Sequence, residues 1–580
     1  MTGKDTPSGL GIRSGDGGAD IETGHQALHQ IGRYNVELAE HAEERERSMT
    51  FKEALSFDRR LIMYSIGFSG TIIMEGYGLA LITFLFSFDS FNQKYGEFNT
   101  ESKKWEVPWL WKALLPLFAQ FGSIIGVAIV PPMVKTLGYK RTTQLMVLCS
   151  AALICMPFFA PNIKVLLASF LLQGIPWGVY QVISPAYASE VASVQLRPIL
   201  TTWNNLCWVI GQLLASGIVK GFEAIPGDMG YRAPFAFQWF FTVVLSIALC
   251  FAPESPYWYI QRGEIPKASK AIVKLVRGGS KDLAAEKLAL MQHTIHQEAS
   301  ADTASDMNLG FVQRTLTIFK GSDARRTEVA CVAWLIQAMC GSSLIGWAPQ
   351  VFIAAGLRNE DSLSINIALP SAGFVGTVAS WWLMRVAGRR SIYFWGQIAM
   401  AVLLCACGCA SFAPGKTTAG WAAGGVLAVY TLVYDLTVGP ICYSIVSEIP
   451  SIRRRASTLS AARCTYLLAN LINHFLTPKM VSVDAGSWGW GAKSGFFYAV
   501  LCLFGAAYTF FRIPETDGIS ARSLDILFQH NVPTREFSNA KAAEFDHLEQ
   551  EKPLATQTSK TSVLSVRAMG SDKGDKSDPA

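Results

Sequence analysis

Three ionisable side chains lie inside long apolar stretches, where a charge is costly unless it has a partner or a purpose. Glu75 lies midway along the first stretch, Asp435 near the middle of a later one, and Arg463 in the stretch after that. A buried carboxylate near an arginine can gain and lose a proton. We therefore predict proton binding at Glu75, with Asp435 and Arg463 in the same coupling role. The alternative is that all three only hold helices together.

Uncharged polar side chains in the same apolar stretches are candidates for ligand contact. A sugar or similar polyol is held by hydrogen bonds from amide and hydroxyl groups beside an aromatic face. Each glutamine of this set could instead bridge two helices. The predicted ligand contacts are Gln212, Gln337, Ser342 and Ser343, with Trp208 and Tyr443 as aromatic faces.

A Ser-Glu pair followed seven positions after the Glu by Arg occurs twice in the chain. Glu190 precedes Arg197, and Glu448 precedes Arg455, each between two apolar stretches. A carboxylate and a guanidinium at neighbouring helix ends can pair across the helices. The duplication suggests two homologous halves, each with an ionic latch. Further basic residues at comparable positions complete the predicted latches, namely Arg141, Arg389 and Arg390.

The composition indicates a membrane protein. The chain has 580 residues, of which 50% are hydrophobic, and its mean hydropathy is +0.27 although both ends are polar. The net charge of +6 comes from basic clusters between apolar stretches, which suits an anionic membrane surface rather than nucleic acid.

The residues that usually carry catalysis or bind cofactors are not arranged for either task. All twelve cysteines lie in apolar stretches, which disfavours disulfides and a zinc site. The chain has neither a phosphate-binding glycine loop nor a nucleophile with a nearby histidine and acid. We therefore expect no enzyme activity, no metal and no cofactor.

Stretches of about 18 to 25 apolar residues are long enough to span a bilayer as helices. They form two sets of six, separated by a polar segment, so we predict an all-α membrane protein of two six-helix bundles. The predicted divisions are a disordered tail 1–58, a first bundle 59–252, linker helices 253–326, a second bundle 327–513 and a tail 514–580. The twelve predicted spans are 61–86, 109–133, 142–160, 164–186, 198–219, 234–252, 327–355, 362–384, 391–412, 421–446, 457–478 and 494–512.

Basic clusters predict the orientation of the spans. Lys140-Arg141, Arg389-Arg390 and Arg453 to Arg455 lie in connections on one side, and the linker is also rich in lysine and arginine. Loops of this kind face the cytoplasm. Because the span count is even, both termini are expected there too.

Seven or more sequence motifs, in order along residues 60 to 537, resemble the sugar porter family of the major facilitator superfamily. The likeness is strongest to its fungal maltose and alpha-glucoside permeases. The motifs are Gly138 to Arg141, Pro185 to Arg197, Arg232 to Trp239, Pro253 to Gly263, Gly388 to Arg390, Gly439 to Arg455, Trp488 to Phe497 and Pro514 to Thr516.

This resemblance implies a twelve-helix major facilitator fold that works by alternating access. It implies a sugar held between the halves by Gln212, Gln337, Ser343 and Tyr443, with proton symport across the plasma membrane. We expect a monomer whose partners are the sugar, the proton and the lipid bilayer.

The chain departs from the resemblance at charged positions. Gly78 and Gln120 stand where the fungal permeases usually carry acids, and Arg385 stands where many sugar porters have aspartate. Three hypotheses therefore stay open. The first is a proton-coupled alpha-glucoside importer, the second is a carrier of a different small molecule, and the third is a transport-inactive nutrient sensor.

Overall fold

The computed structural model describes most of the chain between residues 36 and 537. The gaps within this range are 50–52, 54, 56–57, 100–103, 194–195, 224, 226, 277–279, 302–316, 414, 452–453, 484–485, 518, 520–523, 525–526 and 531. The predicted tails therefore lie largely outside the described residues, as does Arg453. The side chains of Arg197 and Arg455 are outside them too.

The first half of the molecule is a bundle of six long helices with short helices at their ends. One two-stranded antiparallel hairpin, β1 (Glu97–Asn99) with β2 (Lys104–Glu106), follows the first of these long helices. In chain order the helices are α1 (Val36–Ser48), α2 (Arg59–Leu85), α3 (Asp89–Tyr95), α4 (Trp109–Leu137), α5 (Tyr139–Leu153), α6 (Cys155–Phe158), α7 (Ile163–Val191), α8 (Arg197–Phe222), α9 (Met229–Ala236) and α10 (Gln238–Phe251).

The linker and the second half follow, with 3₁₀ turns at Thr317–Phe319, Gly491–Lys493 and Thr534–Glu536. The linker helices are α11 (Pro256–Gln261), α12 (Ile265–Leu275) and α13 (Lys281–Ala301). The second half comprises α14 (Gly321–Met339), α15 (Ser343–Gly346), α16 (Ala348–Ala354), α17 (Asn359–Val386), α18 (Arg389–Ala410), α19 (Lys416–Leu436), α20 (Val438–Glu448), α21 (Arg455–Val481) and α22 (Ser494–Arg512). We call the face that carries α11–α13 the linker side, and the face that carries β1–β2 the hairpin side.

Eleven helical segments in the described part of the chain are long and apolar enough to cross a membrane. The twelfth predicted span is α21, which is less apolar because it carries Arg463, Asn473 and His474. Its outward face is nevertheless apolar, since Leu468, Ile472 and Phe475 are exposed at spacings of three and four residues. The prediction of an all-α, two-bundle membrane protein is confirmed.

Two predicted spans of the second half are not continuous helices. The span predicted at 327–355 ends its first helix at Met339, and Gly341 turns the chain with a φ of 97° before α15 begins. The span predicted at 421–446 breaks at Thr437, between α19 and α20. The Gln337 side-chain amide donates to the Gly439 carbonyl at 2.9 Å, so one side chain joins the two breaks. Interrupted helices of this kind bring polar backbone groups to the middle of a membrane protein.

The closest helix pair, α4 with α7, is packed through glycines. Gly122 and Gly126 on α4 face Gly174 and Gly178 on α7, each pair spaced by four residues. A Cβ added to any of these glycines would meet backbone atoms of the other helix. Small residues at this spacing let two membrane helices approach closely.

The linker helices form a small core of their own around Ile260, Ala268 and Ile272. The stretch predicted as a disordered tail at 1–58 is not wholly irregular, because α1 lies within it. Arg45 of α1 pairs with Glu286 of α13 at 2.8 Å, and Asp58 pairs with Lys287 at 3.2 Å. Because this stretch is rich in charged residues, apolar periodicity does not predict its helix.

We predict that Gly174→Leu lowers the thermal midpoint of the detergent-solubilised protein by several degrees. The added side chain would force α4 and α7 apart at a cost of about 1–3 kcal/mol. Size-exclusion chromatography after heating measures the midpoint. Gly217→Leu is the matched control, since a Cβ at Gly217 meets nothing within 4 Å. Equal midpoints for the two variants would contradict the close contact.

Candidate functional site

A chain of hydrogen bonds joins the two halves through three side chains. The Gln181 amide nitrogen on α7 donates to Glu75 Oε1 at 2.5 Å, and Arg463 Nη2 on α21 donates to Gln181 Oε1 at 2.5 Å. Glu75 is 2% exposed, so this carboxylate lies inside the protein and not against lipid. A neutral amide thus separates a carboxylate of the first half from a guanidinium of the second. We call these three residues the central relay.

Aromatic rings surround the arginine of the central relay. The Arg463 guanidinium carbon lies 4.9 Å from the Trp334 ring centre and 4.6 Å from that of Tyr466. Tyr443 packs edge-on against Trp334 with ring centres 4.8 Å apart. Cation–π contact of this kind stabilises a charge in an apolar setting. The predicted aromatic contact Tyr443 therefore lies beside the predicted coupling residue Arg463.

Asp435 belongs to a second contact between the halves. Asn205 on α8 donates to Asp435 Oδ1 at 3.0 Å and approaches Thr377 Oγ1 at 3.4 Å. Asp435 is 4% exposed. Its hydrogen-bond partners are different from those of Glu75, so the structure gives the two predicted coupling acids separate environments.

Among the predicted ligand contacts, Gln337 has a side-chain acceptor that is left unused within the protein. It is 2% exposed, and its Oε1 has no hydrogen-bond partner in the described part of the chain. The Ser342 hydroxyl donates to the backbone carbonyl of Gln337 at 3.3 Å, and Ser343 begins α15 immediately after Ser342. These residues and Tyr443 all lie around the breaks in the second half.

Gln212 and Trp208 lie on α8 in the first half. Gln212 is 8% exposed and lies two helical turns beyond Asn205 on the same face. A Cβ on Gly76 would lie 2.6 Å from the Trp208 carbonyl oxygen, so α2 and α8 touch next to Glu75. The predicted ligand contacts are thus divided between the two halves. Those on α8 lie close to the helix contact that holds Glu75.

The two glutamates predicted as latches occupy matching sites in the two halves. Glu190 accepts from the Tyr139 hydroxyl at 2.5 Å and from Ser255 Oγ at 2.6 Å. Glu448 accepts from Thr516 Oγ1 at 2.6 Å, and Arg389 Nη2 lies 3.4 Å from its Oε1. Each network joins helices of its own half on the linker side. The predicted pairing of these glutamates with Arg197 and Arg455 stays a prediction.

A second acid stands beside each latch, in the motifs Pro253-Glu254-Ser255 and Pro514-Glu515-Thr516. Glu254 accepts from the backbone nitrogen of Tyr139 at 2.8 Å, and Glu515 accepts from that of Arg390 at 3.3 Å. A carboxylate at a helix N-terminus is stabilised by the free N–H groups there. Burial raises the pKa of the Glu254 carboxyl, and these backbone hydrogen bonds partly oppose the increase.

The remaining predicted latch arginines have different surroundings. Arg389 also pairs with Asp517. Arg390 donates to the Phe510 carbonyl at 2.8 Å, which anchors α18 to α22. Arg141 is exposed and lines a basic cavity next to Glu254.

Sequence reasoning missed several residues of the site, above all Gln181, Asn205 and Thr377. Gln181 is a polar residue in an apolar stretch, and this signal is the same one that identified Gln212 and Gln337. The partners of the latch glutamates, Tyr139 and Ser255, lie in motifs quoted above. Their spacing along the chain gives no indication that they meet.

Of the three positions without an expected acid, Gly78 and Gln120 are buried. The Trp177 ring fills the space that a side chain on Gly78 would need. Gln120 is 4% exposed, and its Nε2 has no partner among the residues the structure describes. Neither position carries an acid, and the carboxylate of the central relay, Glu75, is a separate residue on α2.

Comparison with known proteins gives one consistent family. Residues 64–528 match the family described as "Sugar (and other) transporter". A general alpha-glucoside permease of Saccharomyces cerevisiae is 33% identical over 505 residues, covering 86% of this chain and 80% of the permease. A maltose permease of the same yeast is 31% identical over 516 residues, covering 87% of this chain and 82% of the permease.

Solved structures show the same fold. The proton:xylose symporter XylE bound to 6-bromo-6-deoxy-D-glucose superposes with a TM-score of 0.65 at 19% identity, covering 81% of this chain and 99% of that one. The partially occluded, inward-open form of the Escherichia coli protein gives a TM-score of 0.64 at 19% identity, covering 80% of this chain and 100% of that one. The chain therefore belongs to the family described as "Sugar (and other) transporter", and it is a multi-pass membrane sugar transporter rather than an enzyme.

Proposed function

We propose that the protein imports an alpha-glucoside such as maltose together with protons, by alternating access of its two halves. The observation that carries the proposal is the central relay, a buried carboxylate that reaches a guanidinium of the other half through one amide. The permease relatives named above support the substrate class, because their names specify alpha-glucosides and maltose.

Coupling follows from the charge on Glu75. When the carboxylate is ionised, the Gln181 amide donates a charge-assisted hydrogen bond and holds its carbonyl towards Arg463. Protonation of Glu75 removes the negative charge and weakens the whole chain of bonds. The hydrogen bonds that link α7 to α21 then weaken, and Arg463 becomes freer to move against Trp334, which packs on Tyr443, and against Tyr466. A proton on the first half thereby changes the sugar site of the second.

The sugar is proposed to bind beside the relay. Gln337 offers an Oε1 that has no hydrogen-bond partner among the described residues, Ser342 and Ser343 add hydroxyls at a helix break, and Tyr443 adds an aromatic face. Gln212 and Trp208 are the proposed contacts from the first half. A ligand held by both halves favours the conformation in which they are close.

Further contacts between the halves lie on both sides of the central relay and the proposed sugar site. On the linker side Trp381 donates to Thr202 at 2.9 Å, and on the hairpin side Gln350 donates to Ser87 at 3.0 Å. Alternating access would open one set while the other stays closed. We propose that the latches of Glu190 and Glu448 keep each half rigid during this motion, with Asp435 stabilising the contact through Asn205.

The basic connections place the linker side in the cytoplasm under the positive-inside rule. Both termini would then be cytoplasmic as well. We propose that the protein acts as a monomer in the plasma membrane. No residue in the proposed mechanism requires a metal or a cofactor.

We predict that Glu75→Gln abolishes proton-driven accumulation of maltose while leaving exchange of sugar across the membrane. The amide keeps the size of the side chain and removes the titrating group. Accumulation should fall by roughly 5- to 150-fold, the usual range of a coupling free energy. Uptake of labelled maltose by yeast lacking its own hexose and maltose transporters, with and without a protonophore, measures the effect.

Glu360→Gln is the matched control, because Glu360 is exposed on the hairpin side and contacts Lys220 through its backbone carbonyl. Saturable uptake that is indifferent both to the protonophore and to Glu75→Gln would remove the relay from the mechanism. A lack of uptake of every sugar tested, with a normal amount of protein at the cell surface, would favour the two other hypotheses, a carrier of a different small molecule and a transport-inactive sensor.

We also predict that Gln337→Ala raises the half-saturation concentration for maltose. Loss of the amide oxygen removes one proposed hydrogen bond to the sugar, which costs about 0.5–1.5 kcal/mol, or roughly 2- to 13-fold in the half-saturation concentration. Gln397→Ala is the control, since Gln397 is a buried glutamine of the same half that bonds to Thr509 at 2.9 Å. Equal half-saturation values in the two variants would place the sugar elsewhere.

A further inference from the structure

A basic cavity of about 340 Å³ lies on the linker side, away from the central relay. It is bounded by the start of α5, the connection between α10 and α11, and one face of α12. Its charged lining residues are Lys140, Arg141, Lys267, Lys270, Lys274 and Glu254. Neither sugar binding nor the relay uses this cavity.

Most of the positive charge in this cavity is uncompensated. Glu254 is engaged by the backbone nitrogens of Tyr139 and Lys140, and Lys267 pairs with Glu264 at 3.0 Å. Arg141, Lys270 and Lys274 form no ion pair within the described part of the chain. Several cations that line one cavity attract an anion that carries more than one charge.

An apolar, lipid-facing surface begins at the mouth of the cavity. Leu145 and Leu148, which follow Arg141 along α5, have exposed fractions of 42% and 62%. On α10, Ile247 and Phe251 are exposed at 57% and 73%, directly before the residues that line the cavity. The two helices touch here, since Lys140 Nζ donates to the Cys250 carbonyl at 2.9 Å.

We infer that this cavity binds the phosphorylated headgroup of an anionic membrane phospholipid, whose acyl chains lie along the exposed faces of α5 and α10. A free phosphate would satisfy the cations alone. The adjoining apolar surface, at the level where headgroups meet acyl chains, favours a lipid instead. Because Arg141, Lys270 and Lys274 form no ion pair with any residue that the structure describes, we expect a preference for headgroups that carry an extra phosphate monoester over those with a phosphodiester alone.

The position of the cavity gives such a lipid a route to the transport machinery. Lys140 and Arg141 belong to the first turn of α5, whose N-terminus is capped by Glu254 and whose Tyr139 hydroxyl donates to Glu190. A phosphate bound there would compete with Glu254 for the same end of the helix. Lipid occupancy would thus modulate the latch of the first half, and Lys270 and Lys274 on α12 can be changed without altering that latch.

The test uses the full-length protein in detergent, with fluorescent phosphatidylinositol 4-phosphate and fluorescent phosphatidylcholine as probes. We expect the wild type to prefer the phosphoinositide, and Lys270→Gln combined with Lys274→Gln to weaken its binding by roughly ten- to thirtyfold. The control is Lys281→Gln combined with Lys320→Gln, which removes the same charge from exposed positions outside the cavity. Unchanged size-exclusion profiles establish that both variants are folded.

Competition identifies the source of the phosphate. Soluble inositol 1,4-bisphosphate and inorganic phosphate should displace the fluorescent lipid at least about tenfold less effectively than an unlabelled lipid with the same headgroup. Displacement by the soluble headgroup at equal concentration would make the cavity a site for a free anion and overturn the proposal. Equal loss of binding in the two lysine double variants would overturn it as well.

Discussion

The cost of burying charge constrains the centre of this molecule. A buried carboxylate and a partly buried guanidinium, one from each half, lie close together, and the carboxylate would be strongly unfavourable alone. Gln181 allows them to interact without direct contact, since its amide nitrogen faces Glu75 and its carbonyl faces Arg463. The arginine is further supported by Trp334 and Tyr466. The helices that carry these three side chains must therefore be held at fixed positions relative to one another.

Glycines and helix breaks hold these helices in position. The glycine contact of α4 with α7 fixes the helix that carries Gln181, and the approach of Gly76 to Trp208 fixes the helix that carries Glu75. In the second half, Gln337 joins the break after α14 to the break at Thr437. Backbone groups released by these breaks are thus bonded within the protein, as the apolar surroundings require. The same breaks leave hydroxyls and one amide oxygen available to a ligand.

Most of the architecture could be predicted from the sequence, because spanning helices must be long and apolar and because the motif residues recur in both halves. The polar members Glu75, Gln337 and Asp435 could be identified for the same reason, since each stands out in an apolar stretch. Their partners could not. Gln181 meets Arg463 across 282 positions, and Asn205 meets Asp435 across 230. Such contacts depend on helix rotation and on packing between the halves, which periodicity does not specify.

Local signals also failed where tertiary contacts outweigh composition. Helix α1 lies in a charged stretch and is held by an ion pair to α13, so its partner, not its own sequence pattern, accounts for its order. The predicted spans 327–355 and 421–446 read as uninterrupted because glycine and proline are common in membrane helices. Whether such a residue breaks a helix depends on what can bond the freed backbone groups.

The contact between Gly78 and Trp177 limits how this transporter could change over evolutionary time. An acid at position 78 would collide with the indole ring, so the two positions are expected to vary together. An acid at position 78 would need a smaller residue at 177, and that change alone would leave a void in the bundle. The two positions therefore form a coupled pair, in which a single substitution at either one is unfavourable.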